Sequence, residues 1–316
     1  MIYTVTLNPA VDRTLLLPSL RPGELNRVRQ RIDNASGKGI NVSLTLRELG
    51  AETTALGFLG GDSGRWIKAV LAAKGIGGAW VEVQEETRMN IKVRDLQSGE
   101  TTELNEPGPQ ITSDEWAQLV ELLQSLGTSS VEKKQRDIIV FAGNPPRGLP
   151  KDVYVQLISL MKERGWYTVL DTSGDYLAEG IKAAPDVIKP NLEELSDLVG
   201  HRLETLEEVE GAAREILNEG VSLVVVSLGS QGALYCQATE SLLARPPAVT
   251  VRSTVGCGDA LVAGTVYGIW QGYSLADVAR WGTACGSATA TTEGTEPGSR
   301  DLIEELLPQV EIEGAN

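Results

Sequence analysis

The sequence predicts an α/β protein with a mostly parallel sheet, helices on both faces and a small β lid. Short β-branched runs alternate with helix-like segments over most of the 316 residues, which is typical of parallel sheets. Two segments, 12–33 and 87–107, interrupt this alternation with short strand-like and hairpin patterns. We therefore predict a layout in which those segments form the lid and the rest forms one core (residues 1–11, 34–86 and 108–316).

Composition excludes several classes of function. The chain has 28 Lys and Arg against 43 Asp and Glu, a net charge of −15, so it has no basic surplus to neutralise nucleic-acid phosphates. The sequence contains no apolar run of about 18 residues and its N-terminus resembles a strand rather than a signal peptide, so no membrane partner is expected. The three cysteines have no CxxC spacing and His201 is the single histidine. These features predict no zinc site and a cytoplasmic location.

The first half of the chain supplies two candidate anion or sugar contacts. Residues 2–8 alternate as a strand, and Asp12 follows its end, where open α/β sheets bind ligands; a turn aspartate is the alternative interpretation. Gly37-Lys38-Gly39 then opens a helix that ends at Gly50. A glycine turn at a helix N-terminus favours an anion, although the P-loop spacing is missing.

The lid segments contain hairpin signals and many cations. Residues 88–95 alternate, Gln97-Ser98-Gly99 predicts a turn, and 100–104 returns. The density of arginine in 13–33 favours anion contact in so acidic a chain, whereas a solvated edge strand also uses charges. The arginines concerned are Arg13, Arg21, Arg27, Arg29 and Arg31.

The second half alternates regularly between strands and helices. Strands are predicted at 53–59, 79–83, 137–141, 167–170, 187–189 and 223–226, and helices near 258–271, 275–292 and 300–308. Polar residues and glycines follow the strand ends, which a parallel sheet gathers on one edge. They are Asp12, Gly143, Asn144, Asp171, Lys189, Asn191, Glu194 and Ser227.

The most informative stretch is Thr254-Val255-Gly256-Cys257-Gly258-Asp259, which precedes the apolar run 260–264. The first amides of a helix lack partners within the helix and carry the positive end of its dipole, which suits a phosphate. Asp259 in the first turn is a candidate general base for a hydroxyl. The turn thus offers two elements of phosphoryl transfer; a simple Asp cap is the alternative.

Six motifs in this order resemble those of the PfkB-type branch of the ribokinase family of sugar kinases, over essentially the whole chain. They occupy residues 6–12, 37–42, 87–90, 189–194, 226–229 and 255–259. The resemblance implies ATP and Mg²⁺ as cofactors and a ketose phosphate as acceptor. It favours fructose 1-phosphate over tagatose 6-phosphate, because of the Gly-Lys-Gly-Ile-Asn form and Pro-Pro-Ala-Val near 246–249.

The resemblance also implies roles for individual residues. Asp259 would take the proton, and the amides of Gly256, Cys257 and Gly258 would stabilise the transferring phosphoryl group. Glu194 would organise the metal through water. The residues implied in sugar-phosphate binding are Asp12, Arg27, Gly37, Lys38, Asn41, Arg88, Asn90 and Asn144. The residues implied at the nucleotide are Lys189, Asn191, Ser227, Gly229, Gly232, Thr283, Gly286 and Ser287.

Two positions depart from the family pattern. Asn144 replaces an expected serine in Ala142-Gly143-Asn144-Pro145, and Cys257 replaces an alanine in the anion turn. We expect a thiol at a helix N-terminus to have a lowered pKa, so that its alkylation would block activity.

We also expect a homodimer, because an isolated β lid would expose an apolar face. A silent sugar-phosphate sensor and a kinase of neutral sugars or nucleosides remain the alternatives.

Overall fold

The computed structural model describes residues 1–127 and 136–314; the other residues of the predicted core, 128–135 and 315–316, lie outside it. The strands are β1 (Ile2–Thr6), β2 (Ala10–Leu17), β3 (Gln30–Ser36), β4 (Thr53–Gly60), β5 (Gly77–Val83), β6 (Met89–Asp95), β7 (Thr101–Asn105), β8 (Ile138–Ala142), β9 (Tyr167–Asp171), β10 (Val187–Ile188), β11 (Leu223–Ser227), β12 (Ala233–Cys236), β13 (Ser241–Arg245) and β14 (Glu311–Gly314). The α-helices are α1 (Lys38–Glu48), α2 (Gly61–Ala73), α3 (Ser113–Ser125), α4 (Val153–Glu163), α5 (Asp175–Ile181), α6 (Leu192–Val199), α7 (Leu206–Asn218), α8 (Cys257–Gln271), α9 (Leu275–Ala290) and α10 (Arg300–Leu306).

Ten strands form the main sheet, in the order β14-β13-β12-β11-β10-β9-β8-β1-β4-β5. The strands from β11 to β5 pair in parallel, and β12, β13 and β14 add an antiparallel edge. The predicted parallel sheet is thus confirmed. The antiparallel edge, whose three strands are four or five residues long, was not predicted.

Helices cover both faces of this sheet, as predicted. Alternate residues of the buried strands enter two separate cores: Val5 and Phe141 pack with α3 to α7, whereas Ile2 and Val140 pack with α1, α8, α9 and α10. Strands buried on both faces must be apolar throughout. This explains the continuous apolar sequence of β8.

The lid segments form a second sheet of four strands, in the order β3-β2-β6-β7. β2 runs antiparallel to β3 and parallel to β6, and β6 pairs with β7 as a hairpin. The strands extend slightly past the predicted lid, since β2 begins at Ala10 and β3 ends at Ser36. Because β2 follows β1 after three residues, the lid lies beside the carboxyl edge of the main sheet.

Helices α8 and α9 pack so closely that their contact requires glycine. A Cβ on Gly264 of α8 would lie 2.4 Å from the Trp281 carbonyl oxygen in α9. By contrast, a Cβ on Gly211 in α7 would meet no atom within 4 Å in the described part of the chain. The α8–α9 contact fixes the helix whose N-terminus carries Asp259.

We predict that Gly264→Ala lowers the free energy of unfolding by about 1–3 kcal/mol, because the backbone of α9 must shift. The matched variant Gly211→Ala should raise it by up to about 1 kcal/mol, because alanine is the better helix former and has room. Urea denaturation of the two variants measures both values. Equal effects of the two substitutions would contradict the close contact.

Candidate active site

A cavity of about 380 Å³ lies between the lid sheet and the carboxyl edge of the main sheet. Eight of the residues implied in catalysis or sugar binding line it: Asp12, Gly37, Lys38, Asn41, Arg88, Asn90, Gly256 and Asp259. Five residues with no predicted role complete the lining: Ala10, Ser36, Glu103, Val255 and Thr295. The fold therefore gathers residues from distant parts of the chain; Asp12 and Asp259, for example, are 247 positions apart.

Asp259 is buried in the first turn of α8, and it does not serve as a cap. The N-cap residue is Gly256, in the left-handed region with φ 82°, and no side chain caps this end, so amides of the first turn remain available to an anion in the described structure. The Asp259 Oδ2 atom instead accepts a hydrogen bond of 2.7 Å from Asn41 Nδ2 of α1. This bond aims the carboxylate along the cavity between the two helix N-termini.

The environment of Asp259 suits a general base. Burial, together with the negative charge of Asp171, raises the pKa of Asp259 to about 6, against the opposing effects of Lys38, Asn41 and Lys189. A carboxyl group with this pKa is mostly ionised at neutral pH and still accepts a proton readily. A strongly shifted pKa in a cavity marks Asp259 as a candidate functional residue.

Asp171 joins two lysines beneath this base. It is fully buried at the end of β9, and its Oδ1 atom lies 3.2 Å from Lys38 Nζ and 3.3 Å from Lys189 Nζ. Burial by itself raises the pKa of Asp171, but the charges of Lys189 and Lys38 together lower it. The same pairing raises the pKa of Lys38 well above its usual value. Lys189 lies beside the N-terminus of α8, where a Cβ on Gly258 would lie 3.8 Å from Lys189 Nζ.

Arg88 crosses from the lid to the end of β1. Its Nη2 atom donates to the Asn8 carbonyl at 3.0 Å and its Nη1 atom to the Glu106 carbonyl at 3.1 Å. Its buried Nε has no partner among the described residues, so a donor remains at the cavity. Burial lowers the pKa of Arg88, although a guanidinium stays charged at neutral pH.

Gly37 permits a close approach at the N-terminus of α1. Its φ is 133°, and a Cβ there would lie 2.6 Å from Thr6 Cγ2, so a side chain is excluded both by conformation and by space. Gly37 is also the N-cap of α1, and no side chain caps this end in the described structure. Two uncapped helix N-termini, those of α1 and α8, therefore point into one cavity.

The residues implied at the nucleotide lie outside this cavity, on the neighbouring loops and on α9. Ser227 ends β11 and forms a bridge with Asn191, and Gly229 and Gly232 flank the next turn. On α9, a Cβ on Gly286 would lie 3.3 Å from the Cys257 carbonyl oxygen. Thr283 and Ser287 are buried on the same helix, where the Ser287 hydroxyl donates to the Thr283 carbonyl.

Two residues implied in sugar binding are not brought to the cavity. Arg27 is exposed in the loop between β2 and β3. Asn144 is also exposed, and its amide bonds with the neighbouring loop: Oδ1 accepts from the Thr172 and Ser173 hydroxyls and from the Ser173 amide. In this structure Asn144 ties the end of β8 to the end of β9.

Asn191 and Glu194 form a reciprocal capping box at the start of α6. Asn191 Oδ1 accepts from the Glu194 amide at 2.7 Å, and Glu194 Oε2 accepts from the Asn191 amide at 2.9 Å. Glu194 therefore has a structural role, because its charged side chain caps the first turn of α6. Its charge also reaches the site, because it contributes to the raised pKa of Lys38.

The expectation for Cys257 is wrong. Burial raises the pKa of the Cys257 thiol to about 11, and the charge of Asp259 acts in the same direction. These effects outweigh the helix dipole, which by itself would favour the thiolate at this position. The thiol is therefore protonated at neutral pH, and the premise for selective alkylation is removed.

Two polar residues at the site were missed by sequence reasoning. Asp171 was placed at the sheet edge but received no role, because an aspartate at a strand end has no motif of its own. Lys92 was missed because its place in an alternating strand is typical of a solvent-exposed polar residue. In the structure, Lys92 Nζ lies 2.9 Å from Asp12 Oδ2. The spacing Asn90-x-Lys92 on one face of a strand was the available signal.

A larger surface depression, of about 830 Å³, lies beside α6 and His201. Its rim carries Glu193, Asp197, Arg202 and Glu204, and these side chains are partly or fully exposed. It lies outside the group of buried charges described above. The smaller cavity is therefore the candidate active site.

Comparison with known proteins agrees with this choice. The sequence profile described as pfkB family carbohydrate kinase matches residues 5–302. The chain is 36% identical over 312 residues to a 1-phosphofructokinase of Bacillus subtilis, with 99% of each chain covered. Among solved structures, phosphofructokinase-2 of Escherichia coli in complex with potassium superimposes with a TM-score of 0.91 at 33% identity, covering 98% of both chains. A ribokinase of Thermotoga maritima shares the fold, with a TM-score of 0.77 at 21% identity over 98% of this chain and 99% of that one.

Proposed function

The chain belongs to the pfkB family of carbohydrate kinases, and from this premise we propose that it transfers the γ-phosphoryl group of ATP to fructose 1-phosphate, giving fructose 1,6-bisphosphate. The family resemblance, the ribokinase-like fold and the assignment as a sugar kinase are confirmed. The proposed acceptor follows from the full-length similarity to relatives named 1-phosphofructokinase.

The observation that carries the proposal is the arrangement of Asp259. Its carboxylate is buried, bonded to Asn41 and adjacent to an uncapped helix N-terminus. A base for a hydroxyl and donors for a transferring phosphoryl group are thus side by side, as phosphoryl transfer requires. An anion clamp of Lys38 and Arg88 lines the same cavity, and a phosphorylated sugar needs such cations whereas a neutral sugar does not.

In the proposed mechanism, Asp12, Asn41 and Asn90 bind hydroxyl groups of the sugar, and Lys38 and Arg88 bind its existing phosphate. Arg27 and Asn144 stay as proposed contacts that need a movement of their loops. Asp259 accepts the proton of the acceptor hydroxyl while the oxygen of that hydroxyl attacks the γ-phosphorus of ATP. The first amides of α8, from Gly256 to Gly258, stabilise the charge on the transferring oxygens. Closure of the lid excludes water, which otherwise would compete as acceptor.

We place ATP along the loops that end β10 and β11, with its phosphates near Lys189 and the N-terminus of α8. Asn191, Ser227, Gly229 and Gly232 would lie along the nucleotide on one side, and Thr283, Gly286 and Ser287 on the other.

The residues present also fit Mg²⁺. The buried Asp171 Oδ2 has no hydrogen-bond partner in the described part of the chain, and Glu194 adds a second carboxylate nearby. No cluster of three acidic, His or Cys ligands exists among the described residues, so the protein would hold the ion mainly through water and the nucleotide phosphates, as Mg²⁺ prefers. When bound, the ion would neutralise phosphate charge.

We further propose that two copies associate through the lid. Leu15, Ile91, Val93 and Leu104 lie on one face of the lid sheet, opposite the face of Asp12 and Asn90, as the strand registers show. Leu104 is 57% exposed, and a second copy would cover this apolar face.

The protein's location would be the cytoplasm, where its three free cysteines stay reduced. No helix of the described residues is long and apolar enough to span a membrane.

We predict that fructose 1-phosphate gives the highest kcat/KM in a panel with tagatose 6-phosphate, fructose 6-phosphate, fructose and ribose, measured as ADP release. Asp259→Asn should lower that value by about 10² or more, because the base is lost. Asp175→Asn is the matched control, since Asp175 is an exposed aspartate in the first turn of α5. Tagatose 6-phosphate as the best substrate would replace the proposed acceptor. Tight binding of sugar phosphate without turnover would instead establish a sensor.

The pKa of Asp259 predicts a pH dependence. Because its pKa is raised to about 6 and the base acts when ionised, kcat/KM should be level above about pH 7 and fall roughly tenfold per unit below pH 6. The substrate phosphate also titrates near pH 6, so phosphorus NMR of fructose 1-phosphate should be used to correct the profile. A corrected profile that stays flat to pH 5, with the protein still folded, would contradict the role of Asp259.

The lid association predicts a mass twice that of the chain by light scattering at micromolar concentration. Leu104→Asp should shift the protein to monomer, because it places a charge in the buried interface. Leu25→Asp is the control for an exposed leucine in the loop between β2 and β3. A wild-type protein that is monomeric in the same measurement would exclude the proposed dimer.

A further inference from the structure

The carboxylate of Asp12 is held from two directions by its neighbouring strand. Asn90 Nδ2 donates to Asp12 Oδ1 at 2.9 Å, and Lys92 Nζ donates to Asp12 Oδ2 at 2.9 Å. Each oxygen thus accepts one bond. Since a carboxylate offers about four acceptor positions, Asp12 keeps free positions for hydroxyl groups of a ligand.

The register of the lid sheet produces this arrangement. In the parallel pairing of β2 and β6, Asp12 lies opposite Asn90 and Thr14 lies opposite Lys92. Side chains two residues apart share one face of a strand, so Asn90 and Lys92 both reach Asp12. A shift of β6 by one residue would turn Asn90 and Lys92 to the face opposite Asp12.

Lys92 is buried, and the stability of the lid sheet does not require a charged residue at this position. The exposure of its side chain is 10%, and that of Asp12 is 8%. Burying two charges costs solvation free energy that their attraction only partly offsets, and apolar residues often serve stability equally well. The pair is therefore better explained by what it does for the cavity than by what it does for the sheet.

A ligand is indicated independently at the same place. Asn90 Oδ1 is buried beside Asp12 and lacks a hydrogen-bond partner among the described residues. Buried acceptors without partners are rare because they lose their bonds to water. Asn90 and Asp12 both line the cavity, whereas Lys92 is not part of the lining.

The charge of the substrate gives Lys92 a second role. A sugar phosphate carries between about −1.5 and −2 charges at neutral pH, and it must approach the carboxylates of Asp12 and Asp259 in one small cavity. The Lys92 ammonium neutralises Asp12 without occupying the space of the ligand. Asp12 can thus accept hydroxyl groups without repelling the phosphate.

We propose that Lys92 is a positioning residue for sugar-phosphate binding, which acts through Asp12 by fixing its orientation and balancing its charge. This inference rests on the proposed function, because it takes the ligand at Asp12 to be the phosphorylated sugar.

The test compares Lys92→Met with wild type in steady-state assays and in calorimetric titration with fructose 1-phosphate. We expect the KM and Kd for fructose 1-phosphate to rise at least about tenfold, as for loss of a buried charge partner. The KM for ATP should stay unchanged, since the lid strand lies away from the proposed nucleotide loops. The control is Arg94→Met, which removes a cation two residues further along the same face of β6.

A double-mutant cycle separates positioning from direct contact. In the Asp12→Asn background, Lys92→Met should change the Kd by less than about twofold, because the residue through which Lys92 acts no longer carries a charge. This double variant leaves neither charge buried alone, so it also covers the case in which Lys92→Met folds poorly. An equal loss in both backgrounds would overturn the inference and show that Lys92 contacts the ligand itself. An unchanged KM and Kd in Lys92→Met would also overturn it.

The outcomes for the two proposals are distinct. Wild-type protein that neither binds nor phosphorylates fructose 1-phosphate refutes the proposed function. Wild-type protein that does both, with Lys92→Met equal to it, refutes only the role of Lys92.

Discussion

The site depends on the burial of carboxylates at the edge of the main sheet. Asp171 lies at the end of β9 with no exposed surface, and it remains charged because Lys38 and Lys189 both contact its Oδ1 atom. The two lysines come from the start of α1 and the end of β10, so one ion-paired group connects three elements. The same negative charge, with burial, raises the pKa of Asp259. A single buried anion thus orders the cations that we propose to bind phosphate, and it tunes the carboxylate that we propose as the base.

The lid sheet also contains a buried carboxylate that is paired with a lysine. Asp12 is buried and paired with Lys92, and the parallel register of β2 and β6 makes the pairing possible. Two carboxylates that face the cavity therefore have a polar or cationic partner: Asn41 for Asp259, and Lys92 with Asn90 for Asp12. Such support holds a site in its binding geometry before the ligand arrives, which reduces the free-energy cost of binding.

Close packing of α8 against α9 fixes the position of Asp259 and of the first amides of α8. The N-terminus of α8 is placed by its contact with α9, where Gly264 and Gly268 both approach backbone or side-chain atoms too closely for a Cβ to fit easily. The glycine turn at Gly256 redirects the chain into the helix with no capping side chain. Amides and base therefore belong to one rigid element, whereas the lid that covers them is a separate sheet. This division suits a reaction that needs fixed donors and a cover that opens for the substrate.

The sequence by itself determined the layer architecture, the two glycine turns at helix starts and the edge at which polar residues collect, because these follow from local periodicity and from the geometry of parallel strands. It also determined the family, through six motifs in order. Only the tertiary structure decided which of the collected residues meet. Asp171 and Lys92 act through partners that are 133 and 80 residues away, and no local pattern encodes such pairings. The thiol of Cys257 shows the same limit: its helix position predicted a lowered pKa, but burial and a neighbouring carboxylate, which only the folded chain supplies, raise it.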